Sequence, residues 1–175
     1  EDKLEKYADF ESYLEKRQMK LEACERSLQE KCQRLSEGRK KAADALQKQI
    51  SEALSDLNFA YVDFEIALTR KDDFNSQGYD EVEFLIATNP GEPKRSLGKI
   101  ASGGELSRIM LAIKSVFAET DRIGTLIFDE IDTGIGGRTA QMVAERIAMV
   151  SFGKQVLCIT HLPQIAAMAD THLYI

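Results

Sequence analysis

The 175-residue sequence predicts an α/β domain with a parallel sheet, preceded by an antiparallel hairpin and a long coiled-coil-type helix. Three observations favour this fold class. Residues 1–57 contain no proline and one glycine, residues 61–68 and 81–87 alternate between apolar and polar positions, and later apolar strands alternate with helical periods. We therefore expect an arm helix over residues 1–57 and a globular lobe over residues 58–175.

The arm has the heptad spacing of a coiled coil in only one of its two rows. Leucine recurs every seven residues, but the companion positions are mostly polar. Balanced charge, with 12 basic and 13 acidic residues in 1–57, is typical of a long solvated helix. Two interpretations stay open: a solvated amphipathic helix, or one strand of an antiparallel coiled coil. The heptad row is Leu14, Leu21, Leu28 and Leu35.

The lobe is predicted to begin with a hairpin and to continue as alternating helices and strands. Apolar residues alternate at Val62, Phe64, Ile66 and Leu68, and again at Val82, Phe84 and Ile86. The polar stretch 70–80 between them predicts a turn. Later periods predict a helix from Leu106, a strand at 125–128, a helix over 140–150, a strand at 155–159, a short helix from Pro163 to Met168, and a strand at 172–175.

Composition restricts the class of protein. The net charge of −6 and a pI near 5.1 exclude a strongly basic nucleic-acid binder. The three cysteines, Cys24, Cys32 and Cys158, have no metal-ligand spacing and fit a reducing compartment. The sequence shows no signal peptide and no apolar run of membrane-spanning length, so we expect a cytoplasmic protein without a membrane partner. Both ends look cut, which predicts a piece of a longer polypeptide.

The stretch ASGGELSR, residues 101–108, combines a helix cap with two glycines. Ser102 and Glu105 form the S-x-x-E pattern of a capping box, and a well-capped helix explains them without any ligand. Gly103 and Gly104 would also let a ligand approach backbone N–H groups at the positive end of the helix. The stretch therefore predicts a phosphate contact at residues 102–105 as an alternative to a plain cap.

Two further elements carry groups suited to phosphate chemistry. The apolar strand TLIF ends in Asp129 and Glu130, at the carboxyl edge where open α/β sheets bind ligands. Asp129 could hold Mg²⁺ through water, and Glu130 could orient or deprotonate an attacking water. His161 follows the second strand and could donate a hydrogen bond to a γ-phosphate. A solvated acidic pair and a plain loop histidine are the simpler interpretations.

The order ASGGELSR, TLIFDEID and ITH resembles the second half of an ATP-binding cassette head. SGGE resembles the signature motif, TLIFDE the Walker B strand, His161 the switch histidine, and residues 132–137 the D-loop. The wider wording, with NPGEPKRSLGK before the signature and CITHLPQIAAMAD after the second strand, resembles the RecN family, which is similar to the SMC family of chromosome-organising ATPases. The resemblance covers about residues 59–175, and residues 1–57 match only in kind, as the returning arm of a coiled coil.

The resemblance implies an ATP- and Mg²⁺-dependent mechanism shared between two heads. Two heads would sandwich two ATP molecules, with Asp129, Glu130 and His161 acting on one head and Ser102, Gly103 and Gly104 contacting the γ-phosphate from the facing head. It also implies a homodimer, a DNA partner, a role in recombinational repair of DNA breaks, and a place at the bacterial nucleoid.

The sequence departs from the pattern of the family in two places. No phosphate-binding loop of the form G-x-x-x-x-G-K-[ST] occurs, so this chain alone is expected to be inactive and to need an N-terminal half that carries Walker A. Gly136 stands where related SMC proteins carry an aspartate, which puts the role of the D-loop in doubt. Two rival functions are an ABC-transporter ATPase subunit, which usually lacks a long helix before the signature, and a non-enzymatic coiled-coil interaction module.

Overall fold

The structure, a computed structural model, describes residues 2–100, 102–118 and 120–174, with side chains from residue 10 onward. Among these residues the strands form a three-stranded sheet in the order β1-β2-β3 and a parallel pair, β4-β5. The predicted α/β arrangement of hairpin, long helix and parallel pair is confirmed. The elements are α1 (Asp2–Asp56), β1 (Asp63–Asn75), β2 (Gly78–Ala87), β3 (Arg95–Ser96), a 3-10 turn (Leu97–Lys99), α2 (Gly103–Val116), β4 (Thr125–Phe128), α3 (Gly137–Val150), β5 (Gln155–Cys158) and α4 (Pro163–Ala166).

The chain divides into two compact units. The arm unit comprises residues 1–42 and 68–81, and the lobe unit comprises residues 43–67 and 82–175. Helix α1 and the two hairpin strands therefore each contribute residues to both units. A functional boundary after residue 57 stays a prediction.

In the arm unit, helix α1 leaves its leucine row open to solvent. Helix-favouring charged residues, alanine and leucine dominate this stretch, and no proline interrupts it. The four leucines of the heptad row are between 42% and 52% exposed. The arm unit therefore buries little of the row, and most helix stability must come from local propensity or from a further partner. The row is Leu14, Leu21, Leu28 and Leu35.

Within the arm unit, the buried carboxylate of Asp80 binds the hairpin to helix α1. We call Ser36, Arg39 and Asp80 together the Asp80 clamp. The Asp80 side chain is 3% exposed and accepts hydrogen bonds from Ser36 Oγ at 2.7 Å and Arg39 Nη1 at 2.8 Å. Beside it, a Cβ on Gly78 would lie 3.2 Å from Leu35, so the hairpin packs closely on the helix. Burial alone would raise the pKa of Asp80, but the bonds from Arg39 and Ser36 outweigh burial and lower it.

The hairpin is longer than the sequence pattern indicates, and the turn predicted in the stretch 70–80 is confined to residues 76–77. Strand β1 continues to Asn75 and β2 begins at Gly78, so only residues 76–77 connect the strands. A two-residue connection joins antiparallel strands, which confirms the hairpin itself. Residues 69–77 are exposed, and backbone bonds between the strands hold this end of the hairpin together, whereas Gly78 and Tyr79 are buried. Val82, expected to face the core, is 50% exposed.

The lobe unit has its own core, to which the last turns of α1 contribute. Ile50, Leu54 and Leu57 are at most 1% exposed. The side chain of Gln47 accepts a hydrogen bond from the backbone N–H of Ile66 at 3.0 Å, which ties α1 to β1. Burial of such large aliphatic side chains contributes about 1.5–3 kcal/mol each to folding. The end of α1 is therefore an integral part of the lobe.

The parallel pair β4-β5 is covered on one face and open on the other. The two strands are in register from Thr125 opposite Gln155 to Phe128 opposite Cys158. Leu126 and Phe128 are buried, whereas Ile127 is 68%, Leu157 44% and Ile159 59% exposed. In the described chain, the pair is therefore covered on one face. All five apolar positions predicted for α3 are buried: Ala140, Val143, Ala144, Ile147 and Val150.

The C-terminal stretch is less regular than predicted. Helix α4 begins at Pro163, as expected, but ends at Ala166 instead of Met168. Residues 172–174 form no strand, which corrects the predicted strand over 172–175, and Ile175 lies outside the described residues. Among the residues that the structure describes, no strand pairs with this alternation, and Leu173 and Tyr174 are exposed.

Candidate nucleotide-facing site

Ser102 caps helix α2 as the sequence predicts. Its Oγ accepts a hydrogen bond from the backbone N–H of Glu105 at 3.4 Å, and its backbone is extended, as an N-cap requires. Ser102 and Gly103 are exposed, and Gly104 is buried. The start of α2 therefore presents a hydroxyl and unpaired backbone N–H groups to solvent, which is an arrangement that attracts an anion.

The two glycines pack directly on the residues that follow β4. A Cβ on Gly103 would collide with the Glu130 carboxylate. A Cβ on Gly104 would lie 2.9 Å from the Cβ of Thr133 and 3.0 Å from the Glu130 carbonyl oxygen. A ligand contact at the two glycines stays a prediction; the structure shows that Gly104 also makes room for the chain itself. Its close approach joins the start of α2 to the turn formed by residues 129–133, which we call the carboxylate turn.

The carboxylate turn places both predicted acidic groups at the exposed carboxyl edge of β4. The Asp129 Oδ1 accepts a hydrogen bond from the backbone N–H of Glu130 at 2.9 Å. Glu130 has φ +55°, in the left-handed region that residues other than glycine rarely adopt. Such a conformation costs about 1–3 kcal/mol and persists where surrounding contacts enforce it. Here the enforcing contacts come from α2.

Two side chains of α2 hold the carboxylate turn by its carbonyl groups. Ser107 Oγ donates to the Asp129 carbonyl at 2.8 Å. Arg108, only 9% exposed, donates from Nη1 to the carbonyls of Thr133 at 3.0 Å and Ile131 at 3.4 Å. Burial lowers the pKa of Arg108, although nearby Glu105 raises it. Neither Ser107 nor Arg108 was assigned a role from the sequence. For Arg108 the available signal was a charged residue beside Ile109, on the buried side of the α2 period.

His161 is brought to the same region through Asp132, the fourth residue of the carboxylate turn. Its Nδ1 lies 3.1 Å from Asp132 Oδ2, and its backbone N–H donates to the same oxygen at 2.9 Å. The Thr160 hydroxyl donates to that oxygen as well. Burial alone would raise the pKa of Asp132, but the bonds from Thr160 and His161 outweigh it and lower the pKa. Asp132 was expected only as the first residue of a D-loop.

The predicted site residues therefore meet around one turn. Ser102, Gly103 and Gly104 approach it from α2, Asp129 and Glu130 belong to it, and His161 is bonded to it. Glu105 contributes its backbone N–H to the cap.

Burial, followed by the charges of Asp132 and Asp129, raises the pKa of nearby Cys158 to about 11. Its thiol therefore stays neutral and packs as a small apolar group.

A magnesium ion fits this region only through a single carboxylate. In the described part of the chain, no group of three or more His, Cys, Asp or Glu side chains is placed to hold a metal. Asp129 is nevertheless exposed at a strand end, and Mg²⁺ at nucleotide sites commonly uses one or two carboxylates together with water and phosphate oxygens.

No described helix is both long and apolar enough to cross a membrane.

Comparison with solved structures shows the fold. A crystal structure of an Smc head bound to the C-terminal winged-helix domain of ScpA matches 74% of this chain and 38% of its own, with 21% identity and a TM-score of 0.52. An Smc head from Pyrococcus furiosus with an extended coiled coil matches 73% of this chain and 30% of its own, with 22% identity and a TM-score of 0.53. About three quarters of the chain thus has the fold of an Smc head.

Curated relatives show the family, although no profile of a known protein family matches the chain. DNA repair protein RecN of Halalkalibacterium halodurans is 44% identical over 179 residues, covering 100% of this chain and 32% of that protein. RecN of Bacillus subtilis is 49% identical, covering 78% and 26%, and RecN of Treponema pallidum is 50% identical, covering 79% and 25%. The chain spans about a quarter to a third of these relatives. It belongs to the RecN family and corresponds to the C-terminal part of those proteins.

Proposed function

We propose that this chain is the C-terminal lobe of an ATPase head whose other half carries the phosphate-binding loop. One observation carries the proposal: the start of α2, the two exposed carboxylates and His161 all contact a single turn, residues 129–133. A cap, an acidic pair and a loop histidine are unremarkable when apart. Held together at the carboxyl edge of a parallel pair, they form the acidic, water-orienting half of a nucleotide-hydrolysing site.

Each group has a distinct task in the proposed reaction. Asp129 would hold Mg²⁺ through water, and that ion, when bound, neutralises charge on the phosphates. Glu130 would orient and deprotonate the attacking water, a role for which its exposed position at the strand end is suited. His161 would contact the γ-phosphate. Ser102 and the glycines would meet the γ-phosphate bound on a facing head, so ATP would join two heads as a homodimer.

The missing half is the proposed partner of the open face of the parallel pair. Parallel sheets are normally covered on both faces, yet Ile127, Leu157 and Ile159 stay exposed here. The relatives are three to four times longer, so ample chain exists to supply the second layer. We propose that the N-terminal half, with Walker A, packs on this face and completes the ATP site. This chain alone would then be inactive.

The long helix is the proposed returning strand of an antiparallel coiled-coil arm. Its exposed leucine row, 42% to 52% exposed, is the kind of narrow apolar seam that a second helix covers. Head closure by ATP would move this arm. The relatives are named as DNA repair proteins, and we propose the same process here: recombinational repair of DNA breaks at the nucleoid, in the bacterial cytoplasm. The net charge of −6 places the DNA contact on a local surface or elsewhere in the full protein.

The rival functions fit the molecule less well. A transporter ATPase subunit has no need of the 55-residue helix that precedes the lobe. A purely structural module would not need Glu130 in a left-handed conformation with its carboxylate exposed next to a capped, glycine-rich helix start. Strain of this kind is retained mainly at sites that bind or react.

Glu130→Gln in the full-length protein tests the proposed function. The amide cannot take a proton from water, so kcat for ATP hydrolysis should fall at least about 100-fold while ATP still binds. The matched control is Glu92→Gln, the same change at an exposed loop position, which should hydrolyse ATP at the wild-type rate. Hydrolysis by Glu130→Gln at the wild-type rate would remove Glu130 from the reaction and leave the structural module as the better interpretation.

A further inference from the structure

The proposed catalytic groups leave out a buried carboxylate at the centre of the turn, that of Asp132. The residue is 3% exposed, and one of its oxygens, Oδ2, accepts two hydrogen bonds, from the Thr160 hydroxyl and from the backbone N–H of His161 at 2.9 Å. The same oxygen lies 3.1 Å from the ring nitrogen Nδ1 of His161. No lysine or arginine of the described residues forms an ion pair with it. A carboxylate placed only among these donors needs an explanation beyond ion pairing.

The geometry decides which nitrogen of His161 is available. An ionised carboxylate only accepts hydrogen bonds, so the Nδ1 that faces Asp132 must carry a hydrogen. The other ring nitrogen, Nε2, is then the one left for a nucleotide or water. The His161 side chain is 75% exposed whereas that of Asp132 is 4% exposed, so the ring extends from a buried anchor into the open region. Because the backbone N–H of His161 binds the same oxygen, the ring and its main chain share one support.

We infer that Asp132 is a positioning residue that fixes the tautomer and direction of His161. A carboxylate behind an imidazole performs the same task in hydrolases that use histidine, where changing the carboxylate to an amide leaves the geometry but selects the wrong tautomer. The inference rests on the proposed function, because that function assigns His161 its contact with the γ-phosphate. It also links two strand ends: Asp132 follows β4, whereas Thr160 and His161 follow β5, so the turn that carries Glu130 and the histidine move as one piece.

Asp132→Asn in the full-length protein tests the inference by kinetics. The amide nearly matches the carboxylate in size but offers an N–H to Nδ1, which favours the opposite tautomer. We expect kcat for ATP to fall about 10- to 100-fold, with KM for ATP changed by less than about threefold. Thr160→Val is the matched control, since it removes another donor to the same oxygen and spares the imidazole contact; its kcat should fall less than about threefold.

A double-mutant cycle separates positioning from a general structural role. If Asp132 acts through His161, then Asp132→Asn added to His161→Ala should slow hydrolysis by less than about twofold beyond His161→Ala alone. Losses that multiply in the double variant would overturn the inference, because Asp132 would then act independently of the ring. A wild-type kcat for Asp132→Asn would overturn it as well.

The tautomer can also be observed without any turnover. In full-length protein labelled with ¹⁵N-histidine and measured at alkaline pH, the His161 signal should show Nδ1–H and unprotonated Nε2, with assignment by its loss in His161→Ala. An Nε2–H signal in the wild type overturns the inference even if Asp132→Asn fails to fold. Measuring Glu130→Gln in parallel separates the two proposals: normal hydrolysis by that variant refutes the proposed function, whereas slow hydrolysis by it together with normal Asp132→Asn refutes only the positioning role.

Discussion

Asp80 in the arm unit and Asp132 in the lobe unit are equally buried but held by different partners. Asp80 is bound by a guanidinium and a hydroxyl, both from helix α1. Asp132 is bound by a hydroxyl, a backbone N–H and an imidazole that is itself 75% exposed. The partners of Asp80 complete a fastening between helix and hairpin. The His161 ring beside Asp132, in contrast, is exposed to solvent. The exposure of the partner, and not the burial of the carboxylate, therefore indicates which aspartate supports a site.

The pKa values alone would not separate the two residues. Burial raises and hydrogen bonds lower the pKa of each, with a net lowering in both cases. A lowered pKa is therefore common to a structural ion pair and to a carboxylate beside a reactive edge. The distinction depends on which group lies beside the carboxylate. Asp80 is bound by the Arg39 guanidinium within the packed arm unit, whereas Asp132 lies beside the His161 ring, whose other side is open to solvent.

The largest expected difference between the units comes from Gly104→Ala. The added Cβ would lie 2.9 to 3.1 Å from Thr133 and the Glu130 carbonyl, backbone and short side-chain atoms that cannot swing away. We expect local destabilisation of α2 and the carboxylate turn by about 3 kcal/mol, measured by hydrogen exchange of residues 103–116 in the full-length protein.

Gly38→Ala is the matched control for that prediction. Gly38 lies inside helix α1, and no atom lies within 4 Å of its added Cβ. Alanine should stabilise the helix there by about 0.5–1 kcal/mol and slow its exchange. If both substitutions had the same sign of effect, the glycines of the lobe would not be packing determinants, and the tight junction between α2 and the carboxylate turn would be wrong.

Asp80→Ala should produce the next largest effect, and on stability alone. It removes two hydrogen bonds to a charged group and leaves Arg39 beside a buried surface without its anion. Exchange protection of residues 32–42 and 78–81 should fall by about 2 kcal/mol, while kcat for ATP stays unchanged. Asp132→Asn should show the opposite profile, with a small change in protection and a large loss of turnover. Loss of kcat without loss of protection in Asp80→Ala would contradict the division between the two aspartates.

Much of the fold follows from sequence periodicity because it reflects burial. The α3 stripe, the two parallel strands, Pro163 at the start of α4 and the Ser102 cap were predicted and confirmed. The extended hairpin was missed because residues 70–77 are mostly polar and are exposed, and inter-strand backbone bonds leave no mark on hydropathy. The strand expected at 172–175 was wrong for the converse reason: alternation without a neighbouring strand does not make a strand.

The candidate site was predictable in its outward-facing residues and not in their supports. Asp129, Glu130 and His161 stand at strand ends, where sequence position alone indicates exposure. Arg108 and Asp132 act through contacts with residues more than 20 positions away in the chain. Such contacts depend on which elements pack together. For Arg108, a charged residue on the buried period of helix α2 was the local signal; Asp132 had none. The roles assigned to the outward-facing residues stay predictions.

Acid should affect the two aspartates alike and give the smallest of these effects. The folded-state pKa of each is lowered, so its contribution to stability is complete above the ordinary aspartate pKa of about 3.9 and is lost as the pH falls through the folded value. The difference in unfolding free energy between wild type and Asp80→Asn should therefore be constant from about pH 7 to pH 5 and shrink below about pH 4, measured by urea unfolding.

The same experiment on Asp132→Asn should give the same window, since its pKa moves in the same direction. The loss of unfolding free energy in acid should be smaller than the loss caused by replacing either aspartate. The reason is that the hydroxyl donors Ser36 and Thr160 stay in place to bond the neutral acid. A stability difference for Asp132→Asn that already changed between about pH 7 and pH 5 would contradict a window set by the carboxylate alone. The Asp132–His161 pair would then differ from the Asp80 clamp in stability as well as in turnover.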